Sequence, residues 1–192
     1  MDTKQNGITE TIKNEIVSVL KGTGNVASAA VNAISGAVTN TIKNIGKIGT
    51  ATIEGTSDMI RGAIQGAKEV GSDLGVAAKG IVLGVMRSAG QFSTQALDTI
   101  GVTAGSIVKH TSELVGDVAS VAKGAVEGAI DGAKEIGLNV EEAASAAATG
   151  AVKAAYEISA EVGTKVKEAV TGTISGIKVI VKEPFKSEHK AA

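Results

Sequence analysis

The large apolar residues of this chain recur every three or four positions, and the pattern repeats after eleven residues. Numbering the chain modulo eleven places nearly all of them in five classes, which are neighbours around a helix of about 3.67 residues per turn. We call this face the apolar arc. Between residues 16 and 181 it holds 76 positions, of which 41 are Ile, Val, Leu, Met or Phe and 20 are Ala. The period predicts an all-α chain.

One row of the apolar arc, which we call the Ile64 row, takes one position from each eleven-residue repeat. Its large members are Leu20, Val31, Ile42, Ile53, Ile64, Met86, Leu97, Val108, Ile130, Val152 and Ile174. Of the 29 charged residues between 16 and 181, 28 lie off the arc, and Glu141 is the exception. A face so free of charge must meet lipid, another hydrophobic surface or other parts of the same protein.

Two decapeptides are nearly identical: GAIQGAKEVG at 62–71 and GAIDGAKEIG at 128–137. The second begins six eleven-residue repeats after the first, and the two mark a weak internal repeat relating 61–90 to 127–156. We therefore divide the chain into a polar N-terminal tail (1–7), an amphipathic helical region (8–183) and a disordered C-terminal tail (184–192).

Glycine clusters mark the expected ends of the helices. They lie at 22–25, 46–50, 71–75, 101–105 and 137–139. Asn139 followed by Glu142 matches a capping box, and Pro184 should end the last helix near Glu183. The sequence predicts long antiparallel helices or a bundle, broken at these glycines, without a sheet.

The two edges of the apolar arc differ in chemistry. One edge carries Lys68, Lys79, Lys123, Lys134, Lys167 and Lys178, whose stems can cover apolar surface while the ammonium stays in water. The other edge is small and contains three GxxxG pairs: Gly62 with Gly66, Gly128 with Gly132, and Gly172 with Gly176. Such glycines allow close contact between helices, or they simply mark where the apolar arc ends.

The composition of the chain indicates which partners and which cellular location to expect. The chain has two Phe, one Tyr, no Trp and a net charge of −1, which removes the basic excess and the stacking rings that nucleic-acid binding uses. It has no Cys. The start is polar, without a signal peptide, and the longest charge-free run, 22–42, is too polar to span a membrane. We expect a cytoplasmic protein, peripheral to membranes if it meets them.

No motif in the chain indicates catalysis. GTGNVA at 22–27 fits a dinucleotide fingerprint, but no acidic residue follows about 20 positions later, so a hinge between helices is the better interpretation. Neither His110 nor His189 has a carboxylate or second histidine at ligand spacing, and adjacent Glu141 and Glu142 cannot converge. The sequence predicts no enzyme, cofactor, metal or small-molecule substrate.

The hexapeptides GAKEVG and GAKEIG lie inside an eleven-residue amphipathic register, and together they make the chain similar to known protein families. It resembles the repeats of the synucleins, the perilipins and the late embryogenesis abundant proteins with eleven-residue repeats. Late embryogenesis abundant proteins are usually more hydrophilic than this chain, whose mean hydropathy is +0.21, and synuclein repeats carry Lys on both edges. The resemblance implies reversible adsorption to a surface or protection under stress.

Two functions follow from these patterns. The first is a non-enzymatic coat or protectant of a membrane, a lipid or another hydrophobic surface, in a role like that of a phasin or a late embryogenesis abundant protein. The alternative is a structural protein that associates with itself through the apolar arc as a bundle or filament. An arc of five classes in eleven suits either, because it is wider than a two-stranded coiled coil needs.

Overall fold

The structure is a computed structural model, and it describes residues 3–23, 27–47, 53–89 and 96–182. Side chains are described for 7–22, 27–43, 55–88 and 96–182. Within these ranges the chain is almost entirely helical, as the eleven-residue period predicts. Its elements are α1 (Thr3–Thr23), α2 (Ala27–Lys47), α3 (Ile53–Glu69), α4 (Leu74–Ala89), α5 (Ala96–Glu113), α6 (Val118–Ile136), α7 (Val140–Ile158), α8 (Ala160–Val170), β1 (Gly172–Ile174) and β2 (Ile177–Val179).

The helices form two packed layers. α1, α3, α5 and α7 lie in one layer, and α2, α4, α6 and α8 lie in the other, so that each helix packs beside the helix two places earlier. Neighbours within a layer run parallel, because contacts advance in the same direction along both helices: Gly124 meets Gly75 and Gly132 meets Met86. Consecutive helices, joined by short connections, therefore run in opposite directions. We call the contact between two neighbours in one layer a seam.

Two eleven-residue repeats, which we call a double repeat, separate the starts of the central helices. α4, α5, α6 and α7 begin at Leu74, Ala96, Val118 and Val140, at intervals of 22 residues, whereas the starts of α1 to α4 are separated by 24, 26 and 21 residues. The two decapeptides are therefore three double repeats apart, and their separation relates α3 in one layer to α6 in the other.

The double repeat also explains a regular exception to the burial of the apolar arc. In one class of the arc, Ile60, Val82, Val126 and their equivalents lie buried in the middle of helices. The positions halfway between them fall in connections, and Val115 is 94% exposed there. The single repeat gives the face of a helix, but the double repeat gives the structural unit.

The core lies between the layers and consists mainly of the apolar arc. Small side chains make up much of it, including Ala122, Ala125, Ala129 and Ala133 along α6 alone, all fully buried. The few large anchors are aliphatic, among them Ile16, Ile34, Ile64, Ile107 and Ile130. The helices approach closely because alanine and glycine keep their backbones near one another.

Four of the glycine clusters predicted to end helices coincide with helix ends. Helices end and begin again around 71–75 and 137–139. α1 ends at Thr23 inside the 22–25 cluster and α2 ends at Lys47 inside the 46–50 cluster, and the structure describes no further residue until 27 and 53, respectively. The predicted break at 101–105 is wrong, because these residues continue α5. Gly101 and Gly105 face the α7 carbonyl oxygens of Ala146 and Gly150, so they are needed for close packing.

Three helix ends lie outside the predicted glycine clusters. α4 ends at Ala89, and the structure describes no residue from there until α5 begins at Ala96. The other two breaks use a side-chain cap. At 114–117, Gly116 donates to the carbonyl of Thr111, and the Asp117 side chain accepts from the backbone N–H groups of Ala119 and Ser120. At the second break, Ser159 accepts from the N–H of Val162 to begin α8. The predicted cap at Asn139 is present, with its Oδ1 3.1 Å from the N–H of Glu142.

The N-cap contacts support a stability prediction. Asp117→Ala should lower the free energy of unfolding by about 1 kcal/mol, because two N–H groups at the start of α6 lose their acceptor. Urea denaturation followed by circular dichroism measures the change. Asp117→Asn serves as the control and should be nearly neutral; an equal loss in both variants would show that the capping bond is not the cause.

The ends of the helical region differ from the prediction. α1 begins at Thr3, inside the segment expected to be a tail, because Gly7 costs an exposed helix only about 1 kcal/mol. At the other end, the last helix stops at Val170 and not near Glu183, and residues 172–179 form an antiparallel hairpin. Residues 184–192, expected to be disordered, lie outside the described residues.

Backbone conformation explains the hairpin. Ser175 and Gly176 both have positive φ, 50° and 80°, which is the turn that closes a two-residue hairpin loop. The flanking residues are rich in β-branched side chains, which favour strands. Beyond the hairpin, the Ile180 N–H donates to Ser145 Oγ and the Lys182 N–H to Thr149 Oγ1, both on α7. The segment thus covers the C-terminal end of the stack.

Candidate binding faces of the helical stack

The Ile64 row of the apolar arc is largely enclosed within the stack. Ile64, Val108, Ile130 and Val152 are 0% exposed. Leu20, Met86 and Ile174 are also buried, and Val31, Ile42 and Leu97 are half-buried, while the side chain of Ile53 lies outside the described ones. The face that could adsorb to lipid is therefore the face on which the helices pack in this structure.

The glycine edge forms the seams. An alanine Cβ at Gly62 would overlap the Thr9 carbonyl oxygen of α1, and one at Gly128 would lie 2.5 Å from the Lys79 oxygen of α4. Gly66 and Gly132 make similarly close contacts with Lys13 and Ile16 of α1 and with Met86 of α4, respectively. Gly62, Gly66 and Gly128 lie where two helix backbones approach each other, and Gly132 makes room for the side chain of Met86.

The third GxxxG pair has another role. Gly172 and Gly176 lie in the hairpin with positive φ of 110° and 80°, and a Cβ at either would meet nothing within 4 Å. The prediction of a close helix contact at Gly172 and Gly176 is wrong. These positions keep the eleven-residue spacing, but the backbone there turns, and glycine relieves the strain of positive φ.

The lysines of the predicted edge lie on both layers and have different surroundings. Lys68 donates to the carbonyl of Leu114, and Lys79 pairs with Asp131 at 2.8 Å. Lys123, Lys134 and Lys178 are exposed, the last in β2, and Lys167 is half-buried on α8. The lysine row is thus partly engaged in contacts of the stack and partly available to solvent.

Four glutamates that are equivalent in the double repeat reach back across the seams. Each pairs with a cation on the preceding helix of its layer: Glu69 with Lys13 (3.8 Å), Glu113 with Arg61 (3.4 Å), Glu135 with Arg87 (2.7 Å) and Glu157 with Lys109 (3.9 Å). Exposed pairs of this kind contribute at most about 1 kcal/mol each. These four ion pairs therefore add little to the stability of the seams.

A shallow groove of about 390 Å³ lies over α4 between α2 and α6. Arg87 crosses it, donating both to the carboxylate of Glu135 at 2.7 Å and to Ser35 Oγ at 3.0 Å. The hydrogen bond from Arg87, more than its charge, lowers the pKa of the Glu135 carboxyl below its ordinary value. Arg87 thereby ties α2, α4 and α6 together.

A polar cluster occupies the seam between α3 and α5. His110, only 6% exposed, has Nε2 2.9 Å from Ser57 Oγ and Nδ1 3.2 Å from Glu113 Oε2. Because a carboxylate only accepts, Nδ1 carries the proton, and a neutral ring accepts the Ser57 hydroxyl at Nε2. Arg61 completes the cluster by contacting the same carboxylate oxygen at 3.4 Å.

This cluster was not predicted from the sequence. The prediction that His110 has no carboxylate at ligand spacing is wrong, because Glu113 lies one helical turn further on and contacts the ring. A signal did exist: positions 66, 88, 110, 132 and 154 are equivalent in the double repeat, and they hold Gly, Ser, His, Gly and Ala. Histidine is the one large residue in that series.

The serine–histidine–glutamate order is that of a nucleophile with its base, but the surroundings do not suit acyl transfer. Ser57 is the fifth residue of α3, where the backbone N–H already belongs to the helical hydrogen-bond ladder. It is therefore not free to stabilise an oxyanion. Among the described residues no three His, Cys, Asp or Glu side chains are placed to hold a metal ion. The cluster joins two helices.

The described helices include none that is long and apolar enough to cross a membrane. No protein-family model matches the chain, and no curated protein matches it. Among solved structures, the de novo designed helical repeat protein DHR7 is similar, with 21% identity over 87% of this chain and 90% of that chain and a TM-score of 0.48.

Proposed function

We propose that this chain is a non-enzymatic helical protein that reversibly coats a lipid or other hydrophobic surface. In water its apolar faces close on one another in the two-layer stack. At a hydrophobic surface the same faces transfer from neighbouring helices to that surface. The observation that carries this proposal is that most buried residues of the core lie on the apolar arc, which holds only one charged residue between 16 and 181.

The make-up of the core supports reversibility. The helix contacts depend on Ala, Gly and Val, and the whole chain has only two Phe, one Tyr and no Trp. Aromatic anchors dominate many cores, so a stack with so few of them gives up less specific packing when its helices separate. The resemblance to the synucleins, the perilipins and late embryogenesis abundant proteins points the same way, since it implies adsorption through such an arc.

A permanent structural stack is the second candidate. It is favoured by the closeness of the seams, where a Cβ at Gly150 would overlap the Gly101 carbonyl oxygen of α5. Under this alternative the arc never leaves the core, and the protein acts through its outer faces or by self-association. The two candidates make opposite predictions for adsorption.

A vesicle-flotation experiment distinguishes the coating function from the permanent structural stack. We expect the parent to float with vesicles of mixed phosphatidylcholine and phosphatidylglycerol and to keep its helical circular dichroism. The structural alternative requires the parent to remain at the bottom of the gradient as a fully helical protein at every lipid concentration. That result would refute the coating function.

Charge reversal at the lysine edge tests, in the same flotation experiment, whether this edge faces the vesicle surface. Lys123→Glu with Lys134→Glu should weaken adsorption to the anionic vesicles about 30-fold, because each Lys near such a surface contributes about 1 kcal/mol. Both residues are exposed, so the stack should keep its stability. The matched control, Lys43→Glu with Lys153→Glu, changes the same charge on the side of the helices opposite the arc. Equal weakening by both pairs would exclude adsorption along the lysine edge.

A further inference from the structure

The seams between helices of one layer are not built alike. In four of them a glycine brings the backbones together, and a Cβ there would lie within 2.7 Å of a carbonyl oxygen of the neighbouring helix. The pairs are Gly62 with Thr9 (α1–α3), Gly84 with Ser35 (α2–α4), Gly124 with Gly75 (α4–α6) and Gly150 with Gly101 (α5–α7). These α-helices are in backbone contact. The short α8, at the end of the stack, packs mainly on α7.

The α3–α5 seam, in the middle of the stack, lacks such a contact among its described residues. Where the structure gives the neighbours of glycines in these two helices, Gly62 and Gly66 of α3 face α1, and Gly101 and Gly105 of α5 face α7. The α5 residue equivalent to Gly124 of α6 is Val102. Val102 is 53% exposed, whereas Gly124 is buried, so α5 stands away from α3 at this point.

Polar groups hold the α3–α5 seam together instead. They are the His110–Ser57 hydrogen bond, the Arg61–Glu113 ion pair and the bond from Lys68 to the carbonyl of Leu114. All three can be exchanged for bonds to water when the helices part. Close backbone and side-chain contact has no such replacement in water, so the polar seam separates more readily than the glycine seams.

The other layer remains joined across this position. α4 is in glycine contact with α2 on one side and with α6 on the other. Parting α3 from α5 therefore swings two halves of the stack about α4 without breaking the second layer. It uncovers the apolar arc of both helices, including Ile60 and Ile64 on α3 and Ile107 on α5, all at most 1% exposed in the closed stack.

We infer that the α3–α5 seam is the gate through which the closed stack opens to a hydrophobic surface. This inference rests on the proposed coating function, and it adds where opening begins and what holds it shut. The Ser57–His110–Glu113–Arg61 cluster keeps α3 beside α5 in water. Separation at the cluster presents the arc of α3 and α5 to lipid first, while the glycine seams stay closed.

Site-specific cross-linking tests the gate. Because the chain has no Cys, a maleimide reacts only with the cysteines that are introduced. In one variant, Arg61→Cys with Glu113→Cys, a short bis-maleimide joins α3 to α5. In the matched control, Arg87→Cys with Glu135→Cys, it joins α4 to α6 at an equivalent ion pair across a glycine seam. Each variant is compared with itself before and after cross-linking, by flotation with the same phosphatidylcholine and phosphatidylglycerol vesicles.

Cross-linking α3 to α5 should lower the vesicle-bound fraction at least tenfold, and cross-linking α4 to α6 should leave it within twofold. Equal loss in both variants, or no loss from the α3–α5 link, would overturn the inference while leaving adsorption established. If the uncross-linked chains never float, the coating function fails, and amide hydrogen exchange then decides on the gate alone. The α3–α5 link must slow exchange in α3 and α5 at least tenfold; unchanged exchange refutes the gate.

Discussion

Gly150→Ala is expected to lower the free energy of unfolding by about 3 kcal/mol and the melting temperature by roughly 5–10 °C. The added methyl group would overlap the carbonyl oxygen of Gly101, so α5 and α7 must move apart along their whole contact. The better helix propensity of alanine, worth about 1 kcal/mol, cannot offset that loss. Thermal and urea denaturation followed by circular dichroism measure both quantities.

Gly36→Ala is the matched control for this change. Gly36 lies inside α2, and a Cβ there would meet nothing within 4 Å. The same substitution should therefore stabilise the protein by up to about 1 kcal/mol. If Gly150→Ala and Gly36→Ala stabilise alike, the backbones of α5 and α7 are not in the contact described.

A charge at a fully buried position of the Ile64 row should have a large effect on stability. Ile64→Lys and Val108→Lys each place an ammonium at a site that is 0% exposed and is surrounded by apolar side chains. Each should cost more than about 4 kcal/mol, a large part of the roughly 5–15 kcal/mol that keeps a typical domain folded. We expect most of the helical circular dichroism to be lost in buffer at room temperature.

Ile42→Lys provides the comparison on the same row. Ile42 is half-buried near the end of α2, so a lysine there can extend its ammonium into water and should cost about 1 kcal/mol. Ile42, Ile64 and Val108 are equivalent in the eleven-residue register, and only the stack makes them different. Equal tolerance of lysine at all three positions would contradict the burial of the arc between the layers.

The sequence contains enough information for the helices and their buried face, because both depend on local periodicity. Ile64, Ile130 and Val152 lie on the predicted row and are buried. Helix ends are less regular: the glycines of 101–105 were expected to end a helix, yet they make room for α7, two helices further along the chain. A glycine that permits a turn and a glycine that admits another backbone look the same in one sequence.

The candidate site is harder to predict, since it depends on which helices become neighbours. Ser57 and His110 are far apart in the chain, and their 2.9 Å contact exists only because α5 lies beside α3. The hairpin was not predicted, for a different reason. Ile174 and Ile177 suit the amphipathic pattern of a helix, but the positive φ values at Ser175 and Gly176 reverse the chain between them.

The parallel neighbours within each layer have a consequence for folding speed and for tolerance of length. The principal helix contacts join elements one or two places apart, so contacting residues are separated by little more than one pair of helices. Topologies with short-range contacts fold quickly, and the stability of such a stack is approximately a sum over its helices and their nearest-neighbour seams. A deletion or duplication of two double repeats within α4–α7, where the helices begin 22 residues apart, should remove or add one helix in each layer. Chains of different length can therefore share this architecture.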